Sequence, residues 1–227
     1  MKLSVIVPAV NEESRITGAV SSAWAAGAIE VIVVDGGSQD ETCRLAVEAG
    51  ARLISSRPRR AVQQNVGARE TRGDVLLFLH ADCRLPVDAG AQVDEALDDA
   101  GVVGGAFRQE IDAGGWLFRW LERGNARRAL RRQVPYGDQG LFVRRDCFAA
   151  AGGFPVVPLM DDVMLAHNLR RIGRLALVEG PLRVDARRWR QRGVIPQTLR
   201  NWCLLSAWRC GVPLERLAGV YRRHDHE

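Results

Sequence analysis

The feature that most constrains the fold is an alternation of short apolar runs and helical stretches over the first hundred residues. The apolar runs predict strands at residues 3–7, 31–34, 52–55 and 75–79, and the stretches around them predict helices at about 14–26, 60–71 and 87–99. Such alternation is typical of parallel strands joined by crossover helices. Because each run is nearly all apolar, we expect each strand to be buried on both faces.

A further helix is predicted between the second and third strands. The segment Ser38-Gln39-Asp40-Glu41 has the Ser-x-x-Glu spacing of a capping box. Gly50 stands where a glycine would end that helix.

The pattern changes after Gly101. Strands are predicted at 103–111 and 141–144, and helices at 116–132, 161–172 and 196–210. The predicted fold class is therefore α/β, with a mostly parallel first half and a mixed α+β second half. At 227 residues without a linker or repeat, we expect one domain over 1–227, divided into 1–100, 101–185 and basic C-terminal helices over 186–227.

The composition, with 47% hydrophobic and 26% charged residues, is that of an ordinary globular protein. The net charge of +5 is unevenly distributed, because residues 183–227 hold ten arginines against four acids. A basic segment suits an anionic partner, either a phosphate-bearing ligand or an acidic membrane surface, or it is simply a solvated face. No nucleic acid partner is expected.

The cysteines and the hydropathy pattern indicate a compartment. Five cysteines without a CxxC pair predict reduced thiols rather than disulfides or a zinc cluster. The first residues predict a strand rather than a signal peptide, and no segment approaches the roughly 18 apolar residues of a membrane-spanning helix. We expect a cytoplasmic protein, either free or peripheral to an inner membrane.

Polar residues directly follow each predicted parallel strand, in the loops 8–13, 35–40, 55–60 and 80–84. Ligands of open parallel sheets bind beyond the carboxyl ends of the strands, so these loops predict a polar ligand at that edge. Asp35, before two glycines, is suited to accept hydrogen bonds from a base or ribose, or to cap the next helix. Asn11 and Glu12 have the same two interpretations.

Two acidic motifs suggest chemistry. His80-Ala81-Asp82 follows a strand, where an aspartate suits a hard divalent cation whose remaining ligands come from a diphosphate. Asp161-Asp162 opens a predicted helix, where the acids either complement the helix dipole or supply a general base.

Motifs that recur in one enzyme family run in order along residues 2–180. They are Ser-Val-Ile-Val-Pro at 4–8 with Asn11-Glu12, Val-Val-Asp-Gly-Gly-Ser at 33–38 with Asp-Glu-Thr at 40–42, Gly-Asp at 73–74 leading to Phe-Leu-His-Ala-Asp at 78–82, Gly-Gly-Phe at 152–154 and Met-Asp-Asp-Val at 160–163. With these, the chain resembles the family 2 glycosyltransferases, whose GT-A fold is a Rossmann-like sheet flanked by helices. More narrowly, Leu-His-Ala-Asp at 79–82 with Tyr-Gly-Asp-Gln-Gly at 136–140 resembles a small bacterial subgroup associated with radical-SAM and selenium-domain proteins.

The resemblance implies an inverting, metal-assisted transfer of a sugar from a UDP- or GDP-sugar to an acceptor hydroxyl. Residues 1–100 would bind the nucleotide sugar, through Pro8, Asn11, Glu12, Asp35, Ser38, Gln64, Asn65, Ala81 and Asp82. Asp82 and His80 would bind Mn²⁺ or Mg²⁺, and Asp162, beside Asp161, would be the catalytic base. Residues 101–185 would form the acceptor half, and the acceptor or sugar pocket would include Gly104, Gly105, Tyr136, Asp138, Gln139, Arg188 and Trp189.

The sequence departs from the family pattern at three points. His80 replaces the first acid of the usual DxD motif, and Gly36 replaces the second acid of Val-Asp-Asp. The Gln-x-x-Arg-Trp motif of processive synthases is absent, although Arg187-Arg188-Trp189 lies in the comparable region. A single-transfer enzyme is therefore expected.

Two other functions are consistent with parts of the pattern. One is a sugar-nucleotide pyrophosphorylase, but the loop 8–13 lacks the glycine-rich basic signature of that class. The other is a nucleotide-sugar binder or scaffold without turnover, for which His80 in place of an acid is the only support.

The last predicted helix carries Trp202, Leu205 and Trp208 beside Arg200 and Arg209. A basic helix with tryptophans can lie in a bilayer interface, which would suit a lipid or lipid-linked acceptor. The same strip can instead pack on the core or on a second subunit as a homodimer.

Overall fold

The computed structural model describes residues 1–223, except for the side chains of 188, 191, 192 and 220–223. Its strands are β1 (Leu3–Ala9), β2 (Glu30–Asp35), β3 (Arg52–Ser55), β4 (Val75–Phe78), β5 (Cys83–Arg84), β6 (Val102–Ile111), β7 (Leu141–Arg144) and β8 (Arg174–Val184). Its helices are α1 (Ile16–Ala25), α2 (Thr42–Glu48), α3 (Arg60–Glu70), α4 (Ala89–Asp98), α5 (Trp116–Arg132), α6 (Arg145–Ala150), α7 (Asp161–Leu169), α8 (Arg187–Arg192), α9 (Val194–Arg209) and α10 (Leu214–Arg223). A 3-10 turn spans Gly137–Gln139.

The strands form one sheet in the order β3-β2-β1-β4-β7-β6-β8-β5. The first four strands in that order are parallel. β7 is antiparallel to both of its neighbours, β6 and β8 are parallel to each other, and β5 is antiparallel to β8. The predicted α/β fold, with a parallel first half and a mixed second half, is confirmed.

A short turn forces the sheet to curl. β4 ends at Phe78 and β5 begins at Cys83, yet the two strands lie four places apart in the sheet. In a flat sheet they would be separated by about 19 Å. The chain between them makes a tight turn, in which the Cys83 N–H donates to the His80 carbonyl at 3.0 Å, and such a turn spans only about 7 Å. The turn that carries His80 and Asp82 therefore joins two strands that the curl of the sheet brings close together.

Alternate residues of the parallel strands face two separate cores. Val5 and Val33 belong to the core that includes residues of α1 and α4. Ile6 and Val34, one position along, belong to the core that includes residues of α3, α6 and α7. The period of two residues explains why these strands are apolar throughout.

Four local predictions are wrong or incomplete. β3 is not buried on both faces, because it is the sheet's edge strand and pairs only with β2. The predicted capping box does not form, because the Ser38 hydroxyl donates to Asp35 at 2.5 Å instead and α2 begins only at Thr42. The helix predicted over 161–172 ends at Leu169. β8 and the short helix α6 were not predicted, and α8 and α10 were predicted only as part of the C-terminal helices over 186–227, without bounds.

Other boundaries agree with the sequence. Gly50 follows the end of α2 with φ +89°, as expected of a glycine that ends a helix. Among the described residues, no helix is long and apolar enough to cross a bilayer.

Candidate functional site

The first cavity lies at the carboxyl ends of β1 and β4, where the start of α3 faces them. Its volume is about 200 Å³. Its walls are formed by Pro8, Ala9, Val10, Glu12, Arg60, Gln63, His80, Ala81 and Asp82. Five residues predicted to bind a nucleotide sugar or a metal, namely Pro8, Glu12, His80, Ala81 and Asp82, therefore share one cavity. We call it the Asp82 cavity.

The loops after β1 and β2 are fixed to each other behind this cavity. Asn11, at φ 54°, donates its N–H to the Ser38 hydroxyl at 2.9 Å, and its side-chain oxygen accepts the Gln39 N–H at 2.8 Å. Asp35 is buried and accepts the Gly37 N–H at 2.8 Å as well as the Ser38 hydroxyl. Asn11, Asp35 and Ser38 thus hold the loops in place and do not line the cavity.

A charged network holds the start of α1 against the segment after β8. Glu12 lies 3.6 Å from both Arg15 and Arg187, and Arg15 donates to Asp185 at 2.7 Å. Burial alone would raise the pKa of Asp185, but the hydrogen bonds from Arg15 and from the Arg187 N–H outweigh it. The pKa of Asp185 therefore lies below its ordinary 3.8.

A second cavity, of about 160 Å³, adjoins the first. Arg60 and His80 line both cavities, so these two side chains form the wall between them. The remaining lining residues are Tyr136, Gly137, Asp138, Leu159, Met160, Asp162, Val163, Asn201, Leu204 and Leu205. We call this the Asp162 cavity.

The two carboxylates at the start of α7 have different surroundings. Asp161 is buried and forms a two-point contact with the Arg60 guanidinium, with one bond of 3.2 Å. Asp162 lines the cavity, accepts the Gly137 N–H at 2.6 Å and lies 4.0 Å from Arg60. The Asp161 charge is therefore matched by an arginine, whereas Asp162 faces the space where a ligand would lie.

Gly137 allows His80 and Asp162 to approach the same point. A Cβ atom on Gly137 would stand 3.1 Å from His80 Nε2 and 3.3 Å from Asp162 Oδ2. Both contacts are tighter than ordinary van der Waals distances. A side chain at position 137 would therefore press on both the imidazole and the carboxylate, and glycine leaves room for them.

Tyr136 and Asp138 flank this glycine. The Arg128 guanidinium lies 3.4 Å from the centroid of the Tyr136 ring and donates to Gln139 Oε1 at 2.8 Å. Gln139 also accepts the Tyr136 N–H at 3.0 Å, so its side chain stabilises the turn over residues 136–139. Within the described part of the chain, the buried Oδ1 of Asp138 has no hydrogen-bond partner, which suits a hydroxyl-bearing ligand.

Comparison with known families identifies the chain. Residues 4–151 match the family model described as Glycosyl transferase family 2. The chain belongs to glycosyl transferase family 2. The match includes the Asp82 cavity and the turn around Gly137, and it ends before Asp161.

Solved structures share the fold of this family 2 member. S. aureus TarS 1-349 is 18% identical, with a TM-score of 0.65, over 82% of this chain and 61% of that chain. Glucosyl-3-phosphoglycerate synthase from Mycobacterium tuberculosis, in complex with Mn²⁺, UDP and phosphoglyceric acid, is 22% identical, with a TM-score of 0.59, over 93% of this chain and 79% of that chain. The chain thus spans about three fifths of the TarS 1-349 chain. No curated protein sequence matches it.

Several predicted residues of this family member lie away from both cavities. The Asn65 side chain donates to the Phe154 carbonyl at 2.8 Å and accepts the Phe154 N–H at 2.9 Å. Gln64 is buried. Trp189 packs edge-on against Phe118, with ring centroids 6.5 Å apart. The side chain of Arg188 lies outside the described residues.

Gly104 and Gly105 lie inside the sheet rather than in a pocket. A Cβ on Gly104 would stand 2.5 Å from the Phe142 carbonyl oxygen, and one on Gly105 would meet the Ala176 carbonyl. Both glycines therefore allow neighbouring strands to pack closely, which is a structural role.

The sequence did not identify Arg60, Gln63 or the α9 residues Asn201, Leu204 and Leu205 as lining residues. Arg60 ends one of the loops expected at the ligand edge, so the loop was identified but not the residue. The α9 residues carry no local signal, because they reach the cavity only when the helix folds back over it.

Few side chains that could bind a metal ion surround Asp82. Among the residues that the structure describes, no group of three or more His, Cys, Asp or Glu side chains is arranged to hold a metal ion. Asp82 and His80 line one cavity and supply a carboxylate and an imidazole. Such a set fits an ion whose other ligands are oxygens of a bound diphosphate.

Proposed function

We propose that the chain is an inverting, metal-assisted glycosyltransferase, which moves a single sugar from a UDP- or GDP-sugar to an acceptor hydroxyl. The observation that carries this proposal is that the Asp82 and Asp162 cavities share the wall of Arg60 and His80. A donor whose diphosphate lies at Asp82 would present its sugar to the cavity that holds Asp162.

Neighbouring structures support the choice of donor. TarS 1-349 is described in complex with UDP-GlcNAc, and the mycobacterial synthase with UDP and either Mn²⁺ or Mg²⁺. The narrower resemblance to the radical-SAM-associated subgroup is part of the proposal and rests on the motifs at 79–82 and 136–140.

Asp162 is the proposed general base. Its carboxylate takes the proton of the acceptor hydroxyl as the hydroxyl oxygen forms a bond to the anomeric carbon. The bond from that carbon to the diphosphate breaks on the opposite face, so the configuration inverts and the nucleoside diphosphate leaves. The Gly137 N–H at 2.6 Å fixes the orientation of the carboxylate, and Asp161 holds Arg60 beside it.

Asp82 is the proposed metal ligand, with His80 as its partner. When bound, Mn²⁺ or Mg²⁺ would neutralise the charge that develops on the leaving diphosphate. Arg60, whose charge is matched by Asp161, lies in the wall between the two cavities, close to the position proposed for the same group.

The remaining assignments follow from the same arrangement. Residues 1–100 are the proposed nucleotide-sugar half and 101–185 the acceptor half, in a single domain over 1–227 in which α9 contributes Asn201, Leu204 and Leu205 to the wall of the Asp162 cavity. Asp138 and Tyr136 are the proposed contacts of the transferred sugar or acceptor. We place the enzyme in the cytoplasm, where nucleotide sugars are made.

Calorimetry and turnover together test this function. The protein should bind UDP or GDP only when Mn²⁺ is present, and it should slowly hydrolyse the matching nucleotide sugar to the free nucleotide. Binding without any turnover would leave a nucleotide-sugar binder, and absence of binding to every nucleotide would reject the assignment.

A further inference from the structure

A groove of about 630 Å³ between α5 and α9 is lined by five arginines. Arg127, Arg128, Arg131 and Arg132 come from α5 and Arg209 comes from the end of α9. On α5, Arg127 and Arg131 are four positions apart, as are Arg128 and Arg132, so the four arginines form two adjacent rows on one side of the helix. The groove therefore gathers positive charge from two separate elements.

Among the residues that the structure describes, none that lines the groove is an aspartate or glutamate. Within residues 1–223, Arg127, Arg131, Arg132 and Arg209 are exposed and form no ion pair with a carboxylate. Like charges on adjacent turns destabilise a helix unless an anion binds between them.

The fifth arginine is held in place. The Arg128 guanidinium stacks on Tyr136 and donates to Asn125 and Gln139, each at 2.8 Å. Burial lowers the pKa of Arg128 from its ordinary value, although the nearby Tyr136 and Asp138 oppose that effect. One guanidinium held in place beside four exposed ones suits a phosphate, whose oxygens accept several charge-assisted hydrogen bonds at once.

The groove adjoins the Asp162 cavity. Tyr136 and Leu205 line both spaces, so a molecule in the groove lies next to the cavity that holds Asp162. At the groove wall, the half-exposed rings of Trp120 and Trp202 lie 6.1 Å apart and offer an apolar surface to the rest of such a molecule.

We propose that this groove binds the acceptor through a phosphate monoester and thereby presents the acceptor's hydroxyl to Asp162. The acceptor role rests on the proposed glycosyltransferase function, whereas the anion site rests on the arginines alone. The phosphate belongs either to a soluble molecule or to a lipid headgroup, and both offer the same dianion to the arginines.

Glycerol 3-phosphate, with glycerol as the neutral control, probes the soluble source by calorimetry. Phosphatidylcholine vesicles with and without phosphatidic acid probe the lipid source by sedimentation. The test variant is Arg131→Ala/Arg209→Ala. Its control is Arg69→Ala/Arg171→Ala, which removes the same charge from exposed arginines that do not line the groove. Melting temperatures and UDP affinity with Mn²⁺ are measured on both double variants.

We expect glycerol 3-phosphate, or the vesicles that contain phosphatidic acid, to bind the wild type and the control about tenfold more tightly than the groove variant. Glycerol and pure phosphatidylcholine should not bind. Binding that the groove variant retains, or absence of binding in both arms, would overturn the proposal. UDP affinity should be equal in all three proteins. If neither UDP nor GDP binds the wild type, the donor assignment fails, while the glycerol 3-phosphate and vesicle results still test phosphate binding in the groove.

Discussion

Arg60 is paired with Asp161 through two hydrogen bonds, although the two residues are 101 positions apart in the sequence. The pair fixes Arg60 in the wall between the two cavities and neutralises one of the two acids at the start of α7. Asp162 is left to face the cavity, and the two neighbouring aspartates therefore have separate tasks.

Replacing Asp162 with asparagine should lower turnover about a hundredfold or more, the usual scale for loss of a general base. Because Asp162 lines only the second cavity, the affinity for UDP with Mn²⁺ should stay nearly unchanged. Steady-state kinetics and calorimetry on the same preparation measure both quantities.

The Asp161→Asn variant is the matched control. It leaves Arg60 partly unpaired, so it should lower the free energy of unfolding by about 1 to 2 kcal/mol while retaining more activity than Asp162→Asn. The expected loss of stability is small because the Arg60 side chain is 39% exposed. Normal turnover in Asp162→Asn with loss in Asp161→Asn would reverse the two roles.

Replacing Asp82 with alanine should remove most metal-dependent donor binding, because the diphosphate loses its link to the protein. His80→Ala should weaken it less, because imidazole is the poorer ligand for a hard cation. Calorimetric titration of UDP in Mn²⁺ measures each affinity. Asp88→Ala, which removes an exposed acid nearby, should bind as the wild type does, and a normal affinity in Asp82→Ala would contradict the assignment.

Replacing Gly67 with alanine should destabilise the fold by about 1 to 3 kcal/mol, as overpacking of a core does. A Cβ there would collide with the Ile6 side chain and stand 3.0 Å from Val34 Cγ2. Gly219→Ala, in α10, has no atom within 4 Å of the new Cβ and should leave stability equal or slightly higher. Urea unfolding of the two variants gives the comparison, and equal stabilities would show that α3 can move away from β1.

The contribution of Asp185 to stability should depend on pH. Its pKa is lowered in the folded state, so its bonds to Arg15 and the Arg187 N–H stabilise the protein above its ordinary pKa of 3.8. That stabilisation is lost as the pH falls through the lower, folded-state pKa. We expect Asp185→Asn to be about 1 kcal/mol less stable than the wild type at pH 7, and the difference to shrink below about pH 4. A difference that stays constant from neutral to acid pH would rule out this role.

The sequence predicted the parallel half because its signals are local. Apolar runs of a few residues mark β1, β2 and β4, and the residues directly after them lie at the ligand edge. β8 carries charged and small residues between apolar ones and pairs with strands remote in sequence, so no local pattern marked it.

Part of the candidate site was also marked by local sequence signals. Asp82 and Asp162 stand in recognisable motifs and line their cavities. The motif at Asp35 permitted two interpretations; its carboxylate bonds to Gly37 and Ser38 in the loop before α2, and nucleotide binding by Asp35 stays a prediction. Gly104 and Gly105 were placed in a pocket because a glycine-rich strand does not reveal what packs against it. Only the packed sheet identifies the Phe142 and Ala176 carbonyls that require those glycines.

The curl of the sheet has a consequence for the chain during its synthesis. Cys83 and Arg84 pair with Arg183 and Val184, and the Asp185 N–H donates to the Asp82 carbonyl at 3.1 Å. A nascent chain that has not yet exposed residue 185 to solvent lacks every one of these bonds. The aspartate that would hold the metal emerges early from the ribosome, yet its backbone is anchored only after about a hundred further residues have followed. Anchoring of the Asp82 backbone therefore reports that β8 has folded.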